Sequence, residues 1–181
     1  MSEPLHHAPA TSGRTRSLTA IALSLLTAVG LPALAPTAAQ AATTADHCVV
    51  NLTRDEVTCA ATQSAALALD EAASAEAGVQ SVTLITLYDR TNYDPAGGTR
   101  SFVGDGSHTC SAAYSPVEFS VDRLDAAGWN NRASSVRTYR SCDIRLWDSV
   151  SLSGASSTWI DALANLGTIG WNNRAGSYQI S

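Results

Sequence analysis

Lysine is absent from this chain: all 11 basic residues are arginine, against 16 acidic ones. The absence is compositional bias and carries no functional weight. The scarcity of positive charge does carry some. Phosphate binding needs concentrated Lys and Arg, so the composition argues against nucleic acid as a partner. Also missing are a His-Glu-x-x-His zinc motif, a nucleophile elbow and a phosphate-cradling glycine loop. Asp105, Ser107 and His108 fall within four residues, but a working triad is oriented by a third group and served by an oxyanion hole, usually from separated elements. Asp-Gly-Ser-His reads instead as a turn, and no catalytic residue and no organic cofactor site is assigned.

Long apolar runs are confined to the N-terminus. Arg14 and Arg16 precede an apolar stretch over residues 18–34, and Ala39-Gln40-Ala41 supplies a small-x-small cleavage site. This pattern reads as a secretory signal peptide over residues 1–41. A transmembrane anchor is the competing reading, but the run is near the minimum for a span, contains Gly30 and Pro32, and is followed by no positive stop. No Arg-Arg pair supports a twin-arginine route. Cleavage after Ala41 leaves 140 residues carrying 9 basic and 15 acidic side chains, a formal charge of −6. The expectation is a secreted, extracellular protein that is monomeric and has no membrane attachment once cleaved.

All four cysteines, Cys48, Cys59, Cys110 and Cys142, lie beyond the cleavage site. An even count in an exported chain suggests disulfides, and four cysteines allow three pairings. Residues 49–52 and 56–58 look like two arms of a hairpin turning near Thr53-Arg54-Asp55, which favours Cys48–Cys59; Cys110–Cys142 follows by elimination. Each bridge would stabilise by roughly 3–4 kcal/mol through loop closure. Zinc is the competing reading, disfavoured because no Cys-x-x-Cys occurs and only His47 and His108 remain beyond the signal peptide.

Residues 42–80 form a first section: the hairpin, then an Ala-, Leu- and Glu-rich helix over 61–77 with Thr62 as cap and Gly78 as stop. Leu67 and Leu69 are its only large apolar residues, so its packing face reads as weak, and it is expected to lie on the larger part. Asn51-Leu52-Thr53 matches a glycosylation sequon. From Ser81 to Ser181 the character changes to short β-type runs separated by Gly, Asp, Asn and Ser. Residues 82–88, 117–122, 136–139, 144–147 and 178–180 are the clear strands, and a long loop is expected around residues 105–110. Close-set turn signals argue for an all-β sandwich or barrel.

Residues 128–135, Gly-Trp-Asn-Asn-Arg-Ala-Ser-Ser, return 42 positions later at 170–177 with Ser134 replaced by Gly176. A chain that writes one polar turn twice is built from two copies of a unit. Tyr88-Asp89 opens the first copy, with Tyr93 and Gly97-Gly98 following; Trp147-Asp148 opens the second, with Leu152 and Gly154 following. Amide, hydroxyl and carbonyl oxygens are donors that suit Ca²⁺. The plainer reading is that Asn-Asn and Ser-Ser serve turn geometry alone. Arg132 and Arg174 are expected to face solvent at the turn tips, and the four tryptophans, at 129, 147, 159 and 171, to be core.

An aromatic, four residues, a second aromatic and a glycine resemble the folded-hairpin signature of βγ-crystallin Greek keys. Asn130-Asn131-Arg132-Ala133-Ser134-Ser135 resembles the calcium signature of microbial βγ-crystallins. The resemblance covers roughly residues 81–181. It implies two Greek keys packed as a sandwich, with residues 42–80 as a disulfide-hairpin and helix extension. It also implies two Ca²⁺ sites. The first takes the carbonyls of Asp89 and Arg132, the hydroxyl of Ser134 and the side chain of Asn173. The second takes the carbonyls of Asp148 and Arg174 and the side chain of Asn131, with Gly176 supplying no hydroxyl; Asn130 and Asn172 brace the loops. With neutral amides at both second positions, binding is expected to be weak, in the bracket of about 10⁻⁴–10⁻³ M or poorer, and tighter at Ser134 than at Gly176. Small secreted metalloproteinase inhibitors of bacteria look like single domains of this kind with two disulfides. An extracellular protease is therefore the alternative partner, met through the loop at 104–116.

Overall fold

The computed structural model describes residues 46–108, 110–111, 113–125 and 128–181, and the proposed signal peptide lies outside the described residues. The elements are β1 (His47–Asn51), β2 (Glu56–Ala60), α1 (Gln63–Glu76), β3 (Ser81–Tyr88), β4 (Thr99–Asp105), β5 (Phe119–Val121), β6 (Ser135–Thr138), β7 (Ile144–Trp147) and β8 (Ser177–Ile180). They form a sheet ordered β2-β1-β4-β3-β6 and a second ordered β5-β8-β7.

Two Greek keys account for this arrangement. The first runs β3, β4, β5, β6, and its third strand leaves the large sheet to pair with β8. The second runs β7, residues 156–163 and β8. Its middle segment holds the sheets by bridges alone: Trp147 to Ser156, Ile144 to Ile160, then Val136 to Leu163 in the opposite sheet. Each half therefore lends one segment to its partner's sheet. Between the sheets lie Leu84, Ile85, Leu87, Phe102, Trp129, Val136, Ile144, Leu146, Leu166, Tyr178 and Ile180, all buried.

The hairpin extends the large sheet. β1 pairs in parallel with β4 from His47↔Thr99 to Asn51↔Val103, and Cys48 stands opposite Cys59 in the β1–β2 register, where they are bonded. The Cys110–Cys142 bond is also present. β4, which the sequence pattern did not single out, ends where the long loop had been expected to begin. Its residues are buried on both faces, with Phe102 in the main core and Val103 packed with Val49 and Ala66 beneath the helix. A strand covered on both sides loses the alternation that announces a half-exposed one.

Helix α1 is capped by Thr62, whose hydroxyl accepts from the Ala65 N–H. Its buried face is small and polar: Ala66, Asp70 and Ser74, four residues apart and hence on one stripe. Leu69 is exposed. Asp70, 1% exposed, accepts from Asn51 Nδ2 at 3.1 Å, from Arg54 at 2.7 Å and from the Ser81 hydroxyl. Arg54 also reaches Ser74. The turn of the hairpin is thus clasped to the helix by a partly buried ion pair, which adds to the modest apolar contacts of Ala66 and Leu67. Asn51, 2% exposed with its amide donating to Asp70, is not a free sequon side chain in the fold.

Asp70→Ala removes the acceptor of the buried Asn51 amide and of the Ser81 hydroxyl, while Arg54 keeps its bond to Glu56, so it is expected to destabilise by about 2–3 kcal/mol. Urea unfolding of the oxidised protein measures this. A loss below about 1 kcal/mol, the range of exposed pairs, would show that the clasp contributes little.

Candidate metal centre

The repeated turns meet. Asn131 N–H donates to Ala175 O at 2.9 Å and Asn173 N–H donates to Ala133 O at 2.8 Å, a reciprocal pair across the pseudo-twofold. Both asparagines sit in the left-handed region, at φ 56° and 51°, where Asn is tolerated far better than branched or bulky residues. The turn therefore demands Asn at the second position for backbone reasons as well.

The last serine of each motif closes the folded hairpin of its own half. Ser135 Oγ donates to Arg90 O at 2.6 Å and accepts from Tyr93 N–H at 3.1 Å. Ser177 Oγ donates to Ser149 O at 2.6 Å and accepts from Leu152 N–H at 3.0 Å. The main chain behind each motif is also matched: Ser134 N–H donates to Tyr88 O, and Gly176 N–H to Trp147 O.

Of the residues predicted for the first site, Ser134 and Asn173 are brought together: the Ser134 hydroxyl donates to Asn173 Oδ1 at 3.0 Å. At the second corner, a Cβ built on Gly176 would stand 3.1 Å from Asp148 O and 3.2 Å from Asn130 Oδ1. The Asn130 amide oxygen thus also lies beside this corner, and Asn131, expected to lend its side chain here, contributes its N–H to the cross-pair. The four carbonyls named as ligands, of Asp89, Arg132, Asp148 and Arg174, accept no turn or loop hydrogen bond among the described residues, whereas their neighbours Tyr88, Ala133, Trp147 and Ala175 do. Main-chain oxygens ordinarily find partners, so the donor set at each corner suits a hard cation. It is a neutral set: no group of three or more His, Cys, Asp and Glu side chains gathers among the described residues.

Arg132 departs from the solvent-facing expectation, whereas Arg174 stays exposed, as expected. Arg132 folds over Trp129, 4.7 Å from the ring centroid, and donates to both Asp46 oxygens at 3.0 and 3.1 Å, to Asp89 Oδ2 at 3.0 Å and to Gly97 O at 3.1 Å. Arg174 repeats the pose over Trp171 at 4.7 Å and donates to Asp148 Oδ2 at 3.0 Å. Each guanidinium thus holds the carboxylate of the residue whose carbonyl faces the corner. The hydrogen bond from Arg132 holds Asp46 below the usual carboxylate range, and that from Arg174 does the same for Asp148. Trp129 and Trp171 are buried, while Trp147 and Trp159 are half-buried. The Asp105–His108 stretch is a turn in which Ser107 Oγ donates directly to Asp105 at 2.8 Å and the His108 ring packs on Phe119.

No protein-family model matches the chain, and no curated protein matches it. The molecule is an all-β sandwich of two Greek keys with a hairpin and helix extension. Among solved structures it is similar to a βγ-crystallin domain from Flavobacterium johnsoniae, with 24% identity, 54% of this chain and 93% of that one covered, and a TM-score of 0.38. It is also similar to a βγ-crystallin from Ciona intestinalis, at 21% identity, 52% and 94% coverage and a TM-score of 0.37. The N-terminal domain of protein S is 17% identical, with 55% and 96% coverage and a TM-score of 0.38.

Arg132 is the more enclosed arginine, with a side chain 28% exposed against 44% for Arg174. Arg132→Met is expected to cost about 1–2 kcal/mol and Arg174→Met under about 1, given solvent screening. Because the Asp46 pKa is lowered in the fold, the stability it contributes is present above the unfolded value, near pH 4, and is lost as pH falls through the folded one. The gap in urea midpoint between Arg132→Met and the parent should therefore narrow as pH falls and Asp46 takes up its proton, the contacts to Trp129 and Gly97 O leaving a remainder, and a gap unchanged by acid would refute the assignment to this pair.

Proposed function

We propose that the protein is a secreted binding module of βγ-crystallin type in which Ca²⁺ at the paired corners stabilises an already disulfide-bonded sandwich. One observation carries this reading: the Ser134 hydroxyl and the Asn173 amide oxygen, from different repeats, meet at 3.0 Å, and the carbonyls of Asp89 and Arg132 accept no turn or loop hydrogen bond among the described residues. Neutral donors bind Ca²⁺ less strongly than carboxylates do, and Gly176 supplies no hydroxyl, so the Ser134 corner is the tighter. Metal that binds only the folded form stabilises it by RT ln(1 + [L]/Kd), about 1.4 kcal/mol at ten times Kd.

Melts with and without millimolar CaCl₂, together with calorimetry, test this. The melting temperature is expected to rise with Ca²⁺, Ser134→Ala to weaken the tighter event about tenfold, and Gly176→Ser to strengthen the weaker one. Two equal sites of high affinity, or a Ca²⁺ response untouched by Ser134→Ala, would overturn the proposal.

A second reading, inhibition of extracellular metalloproteinases, is favoured by the loop after β4. The Cys110–Cys142 bond ties one end, and the Ser181 hydroxyl donates to Ala113 O and Pro116 O at 2.9 and 3.1 Å, while Tyr114 between them is 55% exposed. A rigid, displayed loop is what a protease inhibitor presents, since preorganisation lowers the entropy lost on binding. Titration of a thermolysin-like protease should show stoichiometric loss of activity if the reading holds, and full activity at micromolar protein removes it.

A further inference from the structure

At one edge of the smaller sheet two carboxylates stand opposite each other. Ile144 and Ile160 exchange both backbone hydrogen bonds, at 2.9 and 3.0 Å. One step along that antiparallel bridge, Asp143 stands opposite Asp161. Like charges directly opposite are destabilising. No basic side chain relieves them: Arg145 turns to Ser156 and Ser157 and lies over Trp147, and Arg140 is exposed and makes no ion pair among the described residues. Burial first, and Asp161 second, push the Asp143 carboxyl up to about 7.

Asp143 is 4% exposed, and its Oδ1 has no hydrogen-bond partner. The side chain lines an open cleft of about 370 Å³ shared with Tyr114, Thr138, Ser141 and Asp161. The cleft thus combines paired negative charge, a buried oxygen without a partner, neighbouring hydroxyls and room for water. Hard divalent cations take oxygen ligands, and Ca²⁺ accepts six to eight of them with water among the set. Two carboxylates fall short of a protein cage, so solvent must complete the shell.

We propose that Asp143 and Asp161 form a divalent-cation site, suited to Ca²⁺, that is separate from the two Asn-Asn corners. The site does not depend on the corners' binding anything. With two carboxylates, one of which must give up a proton to the cation, it belongs with the weak extracellular sites, at about 10⁻⁴–10⁻³ M.

Calorimetry of the oxidised protein with CaCl₂ tests it, using Asp161→Asn and, as the control, Ser134→Ala combined with Asn173→Ala. Asp161 is exposed, so its replacement leaves the core intact. One Ca²⁺ event is expected to survive the corner double variant and to weaken at least tenfold in Asp161→Asn. Mn²⁺ should broaden the amide resonances of Thr138, Ser141 and Asp143 in the parent but not in Asp161→Asn. A purely structural pair would give a different result: Asp161→Asn would raise the metal-free melting temperature by relieving repulsion and leave every Ca²⁺ event unchanged. That outcome, or Mn²⁺ broadening confined to the corners, overturns the proposal, whatever the corner variants do.

Discussion

The reciprocal hydrogen bonds between the two Asn-Asn turns hold the rest of the sandwich in register. Asn131 N–H to Ala175 O and Asn173 N–H to Ala133 O tie the end of one Greek key to the end of the other. Both turns lead straight into the strands that finish each half, β6 and β8. Fixing the turns therefore fixes where Ser134 and Ser135 meet the first hairpin and where Gly176 and Ser177 meet the second. The convergence of oxygen donors at each corner is a consequence of this brace.

The same brace explains the arginines. A turn that approaches its partner this closely buries Trp129 and Trp171, and the guanidinium above each ring has the adjacent Asp within reach. Arg132 and Arg174 then pair with the carboxylates of Asp89 and Asp148. Stability and donor geometry are built from the same residues, which is why a turn-forming role and a metal-binding role for the motif are compatible. The asymmetry between halves comes down to Ser134 against Gly176. The glycine lets Asp148 O and Asn130 Oδ1 come within 3.2 Å of where its side chain would stand.

Much of the fold was legible because it rests on short-range chemistry. The hairpin of residues 48–59, the Thr62 cap and four of the five named strand runs depend on spacing or turn residues within a few positions, and they appear at nearly the same bounds; the fifth, residues 117–122, shortens to β5. β4 was missed because burial on both faces erases alternation, and because Arg100 and Gly104 do not look like central-strand residues. The weak apolar face expected of α1 is what the helix has, and the sequence left unsaid that it packs through Ala66, Asp70 and Ser74. Their i, i+4 spacing was visible, but nothing local said that Arg54 would meet them. Arg132 was taken for a turn tip because Asp46, its main partner, lies 86 residues away.

From the amino-acid string one can read the duplication, the alternating strands, the turn chemistry and the hairpin disulfide, since each depends on residues close in the chain or copied at a fixed interval. Spatial arrangement alone brings Asn130 beside the Gly176 corner, sets β1 parallel to β4, and places Asp143 opposite Asp161. Those pairings depend on strand register between distant segments, and register comes from the packing of two sheets that exchange a segment. A one-residue slip would send each of these side chains to the other face.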